Sequence, residues 1–287
     1  MSKSEGFTLI EMIVAIAILA ILSAAIVPIV YRGMDSQRHQ NTLEEMQVII
    51  ESILGNPAND DYGFIGDMGR FPANLAELNT NPGSTTHSVQ TNGVGMGWNG
   101  PYLNIGVSPN DYLIDGWGNA YSYDNTTCQL TSNGVNQISG DTDDILYPQN
   151  AITLSGSVAV TVTTDSIENP GNAVTLDDTT AVVAVFYSND GTEAAVAATY
   201  NGSSFVATGA NIHRGLHAVV VNGLDGPSSA SQSNNGNGNG NGNGNGNGNG
   251  NNNNNASQSD TDDYSGRSGA ANVVVGQGVS TVEVYIR

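Results

Sequence analysis

Gly6-Phe7-Thr8-Leu9-Ile10-Glu11, followed by an apolar run from Met12 to Val30, sets the architecture of this 287-residue chain. Met12 to Val30 contains no charged side chain. At about 1.5 Å per helical residue, a helix of this length roughly crosses the core of a bilayer. Glu11 is the one carboxylate at its start. A charge in an apolar helix costs on the order of 3 kcal/mol at the bilayer centre, so Glu11 indicates a partner or a function.

The segment before Phe7 has only six residues, is largely polar and ends in Gly6. Together with the motif Thr8-Leu9-Ile10-Glu11, this segment resembles the prepilin signal of type IV pilins and type II secretion pseudopilins. This resemblance implies that a prepilin peptidase cleaves after Gly6, that Phe7 is methylated and that the apolar helix is retained. It also implies that the Phe7 amine pairs with Glu11 of a neighbouring subunit when an inner-membrane assembly platform builds a filament.

Two simpler interpretations compete with a prepilin signal. The first is an ordinary secretory signal peptide with Ser23-Ala24-Ala25 as its cleavage site, and the second is a plain signal anchor. Neither interpretation accounts for Glu11, and a secretory signal normally has a more basic start than one Lys offset by one Glu. The sequence therefore favours the prepilin signal.

Composition excludes several classes of function. The formal net charge is −20 with only seven Lys and Arg, so nucleic acid is not an expected partner. Cys128 is the only cysteine, which excludes an intrachain disulfide and a thiolate metal cluster. No nucleophile elbow, phosphate-binding loop or zinc-protease motif is present in the sequence. We therefore do not expect an enzyme.

A single helix is predicted for residues 7–54, with its membrane span at 7–30. An apolar stripe in its second half indicates that this part packs on a globular head; it comprises Leu43, Met46, Ile50, Ile53 and Leu54. Gly55-Asn56-Pro57 supplies the stop. Pro28 lacks an amide proton and is expected to loosen one turn. By resemblance to pilin-like proteins, Pro28 marks the point where the filament-core helix bends or melts; the alternative is a simple kink.

Residues 55–150 are expected to form the head, and a second resemblance lies there. Three segments match the major pseudopilin of type II secretion in order and spacing, so the resemblance covers residues 1–147. They are Asp67-Met68-Gly69-Arg70-Phe71-Pro72 followed by Leu75-Ala76-Glu77-Leu78, then Trp98-Asn99-Gly100-Pro101-Tyr102-Leu103, and then Asp115-Gly116-Trp117-Gly118-Asn119-Ala120-Tyr121-Ser122-Tyr123. Gly116 and Ala120 stand where that family has prolines, which leaves subunit packing open.

An acidic segment between residues 132 and 145 is the best candidate for a metal site. Its carboxylate, amide and hydroxyl oxygens are the ligands that Ca²⁺ prefers, and it resembles the calcium loop of the major pseudopilin. The predicted ligands are Ser132, Asn136, Asp141, Asp143 and Asp144. Asn136 stands where that family has Asp, which removes one charge. The alternative is a solvated acidic loop.

Residues 151–287 alternate in the manner of short strands and predict an antiparallel β-sandwich. This region has no counterpart in the small pseudopilins. It includes residues 226–262, dominated by alternating Asn and Gly, which we expect to be a disordered loop within the sandwich. Whether the last strand pairs within the chain or with a neighbouring subunit is left open. His213 and His217 would lie about 13 Å apart in one strand, and we expect them on the surface.

The sequence thus predicts an α+β protein with a long N-terminal transmembrane and amphipathic helix, a pseudopilin-like head and a β-sandwich. We expect a structural subunit of a type II secretion or type IV pilus-like filament, partnered by other pilin-like subunits. It would be anchored once in the bacterial inner membrane with its head in the periplasm, or be extracellular within a pilus. The alternative is a membrane-anchored surface adhesin or ligand-binding β-domain protein that uses a pilin-type anchor.

Overall fold

The computed structural model describes residues 8–103, 111–166, 171–224, 264–276 and 278–287. The predicted leader, residues 1–6, and the predicted Asn/Gly loop, residues 226–262, lie outside these ranges. The chain divides into two units, each with its own internal contacts. The first contains Met1–Gly55, Phe71–Pro82 and Gly100–Thr153, and the second contains Asn56–Arg70, Gly83–Asn99 and Leu154–Arg287.

Helix α1 spans Leu9–Leu54, which confirms the long N-terminal helix. Its last third presents a buried stripe of apolar side chains at steps of three and four residues, as predicted, with Ile49 added to it. The buried apolar members are Met46, Ile49, Ile50 and Ile53. Leu43 and Leu54, also predicted for the stripe, are half-buried. Gly55 ends the helix, and its N–H donates to the Glu51 carbonyl at 2.7 Å.

The rest of the first unit is a small antiparallel sheet with short helical turns. Its strands are β3 (Ser122–Asp124), β4 (Gln129–Ser132) and β5 (Ile145–Tyr147), in that order. Turns of 3₁₀ helix cover Leu75–Leu78 and Asp111–Leu113. Leu130 and Ile145 from the sheet and Leu75 from the first turn are buried.

The second unit is a two-sheet sandwich. Its strands are β6 (Ser155–Asp165), β7 (Ala173–Thr175), β8 (Ala181–Asn189), β9 (Thr192–Ala197), β10 (Thr199–Tyr200), β11 (Phe205–His213), β12 (Gly215–Gly223), β13 (Ser268–Val275) and β14 (Val279–Tyr285). One sheet has the order β10–β11–β6–β14, with β7 also paired to β6, and the other has the order β13–β12–β8–β9. Alternate residues fill the core between the sheets, as the period of two requires; Val158, Val160 and Val162 of β6 are fully buried.

The C-terminal strand departs from the antiparallel expectation. β14 pairs with β6 in parallel, from Val279 opposite Ser157 to Tyr285 opposite Thr163. β14 follows β13, which belongs to the other sheet, so no hairpin forces it to run antiparallel to β6. In this structure the terminal strand therefore pairs within its own chain.

Two short segments of the predicted head belong to the second unit. They contain helix α2 (Gly63–Met68) and the two-stranded ribbon of β1 (Ser88–Val89) and β2 (Gly95–Met96). Val94 and Met96 form a buried apolar cluster with Ala218 of β12, against which Phe186 of β8 packs. The structure thus divides residues 55–150 differently from the sequence-based domain boundaries, because these apolar side chains pack across a long distance in sequence.

Candidate functional site

The start of α1 is fixed by a reciprocal cap between Thr8 and Glu11. Thr8 N and Thr8 Oγ1 each donate to Glu11 Oε2 at 2.9 Å, and Glu11 N donates to Thr8 Oγ1 at 3.4 Å. This is a capping box, in which each side chain satisfies a backbone N–H of the other residue. The Glu11 carboxylate therefore lies at the first turn of the helix. Gly6 and Phe7, the predicted processing residues, lie outside the described residues.

The first half of α1 presents apolar side chains on every face. Each Val, Ile, Leu and Met from Leu9 to Val30 is exposed, with Leu9 at 78% and Ile21 at 71%. α1 is long and apolar enough to cross a membrane. A helix that is hydrophobic all round needs a bilayer or neighbouring helices to cover it. The geometry is therefore consistent with membrane anchoring.

Pro28 lies inside this apolar half, and α1 continues across it without interruption. Since proline has no N–H, the carbonyl four residues earlier, at Ala24, loses its helical donor. The predicted bending or melting of the helix at Pro28 during assembly stays a prediction.

The acidic loop, residues 133–144, connects β4 to β5, and its carboxylates accept hydrogen bonds from within it. Asn136 Nδ2 donates to Asp141 Oδ2 at 2.6 Å and to Asp143 Oδ1 at 2.7 Å. Gly140 N donates to Asp144 Oδ2 at 2.7 Å. The hydrogen bond with the Asp143 side chain, followed by that from Asn136, lowers the pKa of the Asp141 carboxyl.

Ser132, the remaining predicted calcium ligand, does not face the other four. It is buried, its hydroxyl donates to Asp115 Oδ2, and its oxygen accepts from Gly134 N at 3.1 Å. Within the described ranges, no three His, Cys, Asp or Glu side chains group in a way that could hold a metal ion. Calcium binding by these five residues stays a prediction. Their geometry does not fit a calcium site, because the Asn136 side chain directs its N–H groups toward the carboxylates.

Asp115 is a structural residue that the sequence did not single out. It is 4% exposed, and its Oδ1 accepts from Trp117 N at 2.9 Å and Asn119 N at 2.8 Å. Next to it, Gly116 N donates to Thr42 Oγ1 of α1 at 2.9 Å. A Cβ at Gly116 would lie 2.7 Å from the Arg38 carbonyl oxygen. Proline could neither donate this hydrogen bond nor approach the helix so closely, which explains why glycine suits this position. Asp followed by Gly and, four residues on, Asn is the turn signal that could have revealed the network.

Residues 1–27 match the family model described as the prokaryotic N-terminal methylation motif. The chain carries a type IV pilin-like N-terminus. Proteins with this methylation motif are structural subunits made as precursors that prepilin peptidase cleaves. The matched segment contains Glu11 and most of the apolar run, and it covers 27 of the 287 residues. No curated protein and no solved structure matches the chain significantly.

The second unit contains a buried histidine pair, which the sequence-based expectation of two surface residues missed. His213 ends β11 and His217 lies in β12; both are at most 1% exposed, and their ring centroids are 4.8 Å apart. The chain passes from β11 in one sheet to β12 in the other sheet at Arg214 and Gly215, where Gly215 has φ of 127°, so residues four apart do not extend along one strand. His213 Nε2 lies 2.7 Å from the Ser188 carbonyl oxygen, and His217 Nε2 lies 2.6 Å from that of His213.

The histidine pair predicts loss of stability in acid. Burial, followed by the nearby His213, lowers the pKa of His217 to about 3, and burial also lowers that of His213. Below the unfolded pKa of about 6.5, the unfolded chain binds protons that the folded chain does not, so the free energy of unfolding falls as pH falls toward 3. Between pH 6.5 and 4, His217 alone contributes a loss on the order of 3 kcal/mol. Urea unfolding of the detergent-solubilised protein across this range measures it.

Two variants isolate the contribution of His217 to this pH dependence. His217→Leu should flatten the dependence of unfolding free energy on pH, whatever its effect on stability at pH 7. The matched control, His39→Leu, changes an exposed histidine of α1 and should retain the slope. An unchanged slope in His217→Leu would contradict the assignment.

Proposed function

We propose that this protein is a structural subunit of a type II secretion or type IV pilus-like filament. The observation that carries the proposal is the apolar half of α1, exposed on all faces and beginning at the capped Glu11 carboxylate, directly after a predicted cleavage site. A helix of this kind is stable in a bilayer before assembly and in a bundle of like helices afterwards. The subunit would be held in the inner membrane by one span, residues 7–30, with the part of the chain after this span in the periplasm, or it would lie outside the cell within a pilus.

Glu11 supplies the contact that would set the register between subunits. Both hydrogen bonds from Thr8 go to Oε2, and Oε1 takes part in neither. In the proposed filament, the carboxylate pairs with the amine of Phe7 from a neighbouring subunit after the leader is removed. Such a pair offsets the cost of a charge within packed apolar helices. Other pilin-like subunits, the prepilin peptidase and an inner-membrane assembly platform are the partners that this assembly requires.

Replacing Glu11 tests the proposal. Glu11→Leu should still insert in the membrane but lose filament formation, measured as the loss of helix-to-helix crosslinks between cysteines introduced in the apolar half of α1. We expect a reduction of at least about tenfold, the equivalent of 1.4 kcal/mol per contact, because the neighbouring amine would be left unpaired.

Glu44→Gln is the matched control, since Glu44 is an exposed carboxylate of the same helix outside the apolar half. It should crosslink like the wild type. Wild-type protein that stays monomeric in its native membrane would overturn the filament proposal and support an anchored adhesin or ligand-binding β-domain. Full crosslinking of Glu11→Leu would remove the proposed role of the carboxylate alone.

A further inference from the structure

The acidic loop holds three carboxylates within four residues, at Asp141, Asp143 and Asp144. Like charges this close repel one another, so a stable loop needs a positive or hydrogen-donating group between them. A bound cation is one solution. The structure contains another, because N–H groups of the loop itself point at all three carboxylates.

Asn136 is the centre of this arrangement. Its Nδ2 donates to Asp141 and Asp143 at 2.6 and 2.7 Å, and its backbone N donates to Asp143 Oδ2 at 3.2 Å. One side chain thus joins two acidic residues five and seven positions further along the chain. Hydrogen bonds to ionised carboxylates are stronger than those between neutral groups, so the bonds from Asn136 stabilise the closed conformation of the loop.

The orientation of the Asn136 amide is determined by a backbone donor. Ile138 N lies 2.7 Å from Asn136 Oδ1 and can only donate, so the atom facing it must be the oxygen. The NH₂ group is therefore the end that faces the two carboxylates. An NH₂ group offers a cation no ligand, and its hydrogens would be directed at the ion.

Among the three carboxylates of the loop, only Asp144 has a buried oxygen without a hydrogen-bond partner in the described part of the chain, which a cation could contact. Its Oδ2 accepts from Gly140 N, whereas Oδ1 is buried and has no hydrogen-bond partner in the described part of the chain. Asp144 lines a cleft of about 400 Å³ together with Trp117, whose Nε1 is also buried and has no hydrogen-bond partner among the described residues. A water entering the cleft can accept from Trp117 and donate to Asp144. One oxygen falls far short of the six to eight ligands that Ca²⁺ takes.

We propose that the Asn136 amide takes the place of a cation in the acidic loop, so that the first unit folds without calcium. The inference concerns folding of the single chain. Only its consequence, a filament that assembles equally well when calcium is chelated, rests on the proposed function. The sequence change that matters is an amide at position 136, where the resemblance to the major pseudopilin implies a carboxylate.

Fluorescence of Trp117, which borders the loop, can report the unfolding of the first unit. The chain has two tryptophans, so a Trp98→Phe background leaves Trp117 as the sole reporter. In the detergent-solubilised full chain, the thermal midpoint should be the same within about 1 °C in EGTA and in Ca²⁺ at about 5 mM, a concentration above the dissociation constants of weak extracellular sites. A calcium-dependent rise in the midpoint of this otherwise wild-type chain would overturn the proposal.

Two substitutions at position 136 separate the amide from the charge. Asn136→Ala should lower the midpoint by about 3 °C or more, equally with and without calcium, because the carboxylates lose their donor. Asn136→Asp should lower it in EGTA and recover when Ca²⁺ is added. A wild-type midpoint in Asn136→Ala, or an Asn136→Asp chain indifferent to calcium, would each overturn the proposal.

Asn150→Asp is the matched control, because it adds the same charge at an exposed position of the same unit outside the loop. It should behave like the wild type in both solutions. All these measurements use unassembled protein, so their failure would leave the filament proposal standing, and failure of the Glu11 test would leave the calcium-independent loop standing.

Discussion

Gly6→Ala should abolish removal of the leader, so that the mature chain starting at Phe7 disappears from membrane extracts. The methylation motif implies a prepilin peptidase, for which we propose Gly6 as the cleavage site, and a Cβ at this position is expected to block the close approach of the backbone that cleavage requires. Intact-mass analysis of wild type and variant measures the effect directly. We expect processing to fall from nearly complete to undetectable.

Lysine usage provides a second readout of leader removal. Lys3 is the only lysine in the sequence, so the mature chain has a single reactive amine, at Phe7, and the precursor has two, at its N-terminus and at Lys3. An amine-reactive label should therefore add once to the wild type and twice to Gly6→Ala. Gly33→Ala is the control, because a Cβ there meets nothing within 4 Å. A wild-type chain cut after Ala25, or left uncut, would contradict prepilin processing.

Asp115→Ala should destabilise the first unit by on the order of 3 kcal/mol, because it removes the shared acceptor of two backbone N–H groups and the Ser132 hydroxyl. A buried donor left without an acceptor is desolvated with no hydrogen bond to compensate, and the substitution leaves three such donors. Urea unfolding followed by Trp117 fluorescence in a Trp98→Phe background is the measurement. Asp115→Asn keeps the shape and one acceptor oxygen, so it should cost markedly less.

The control for Asp115 is Asp124→Ala. Asp124 is exposed and accepts from Thr126 N at 2.8 Å, so its loss should cost less than about 1 kcal/mol. Equal decreases in the free energy of unfolding in the two alanine variants would show that the buried hydrogen bonds to Asp115 stabilise the first unit no more than an exposed one.

The long helix and most strands of the sandwich could be predicted because their signals are local. An uncharged run of 19 residues and an apolar stripe at steps of three and four specify a helix whatever surrounds it. Strict alternation in Ser157 to Thr163 likewise marks one buried face, and β6 contains this segment. The capped Glu11 is also a local feature, since Thr8 and Glu11 are three residues apart.

Predictions that depended on distant partners fared differently. The parallel pairing of β14 with β6 joins segments about 120 residues apart, and no periodicity encodes the direction of such a pair. A spacing of about 13 Å between the two histidines assumes one continuous strand, whereas the chain changes sheets between β11 and β12, near Gly215. Position in the sequence groups Ser132 with the acidic loop, whereas its hydroxyl contacts Asp115, 17 residues earlier.

The sequence by itself determined the pilin-like N-terminus, the exposed apolar helix and the α+β class, because these follow from patterns within one segment of backbone. Tertiary structure alone decided which oxygens of the acidic loop meet N–H groups, where Asp115 and the two histidines are buried, and which short segments join the sandwich. Hydrogen bonds form only at about 3 Å and within a narrow range of angles, so a list of polar residues specifies candidates, and only the folded chain selects the partners.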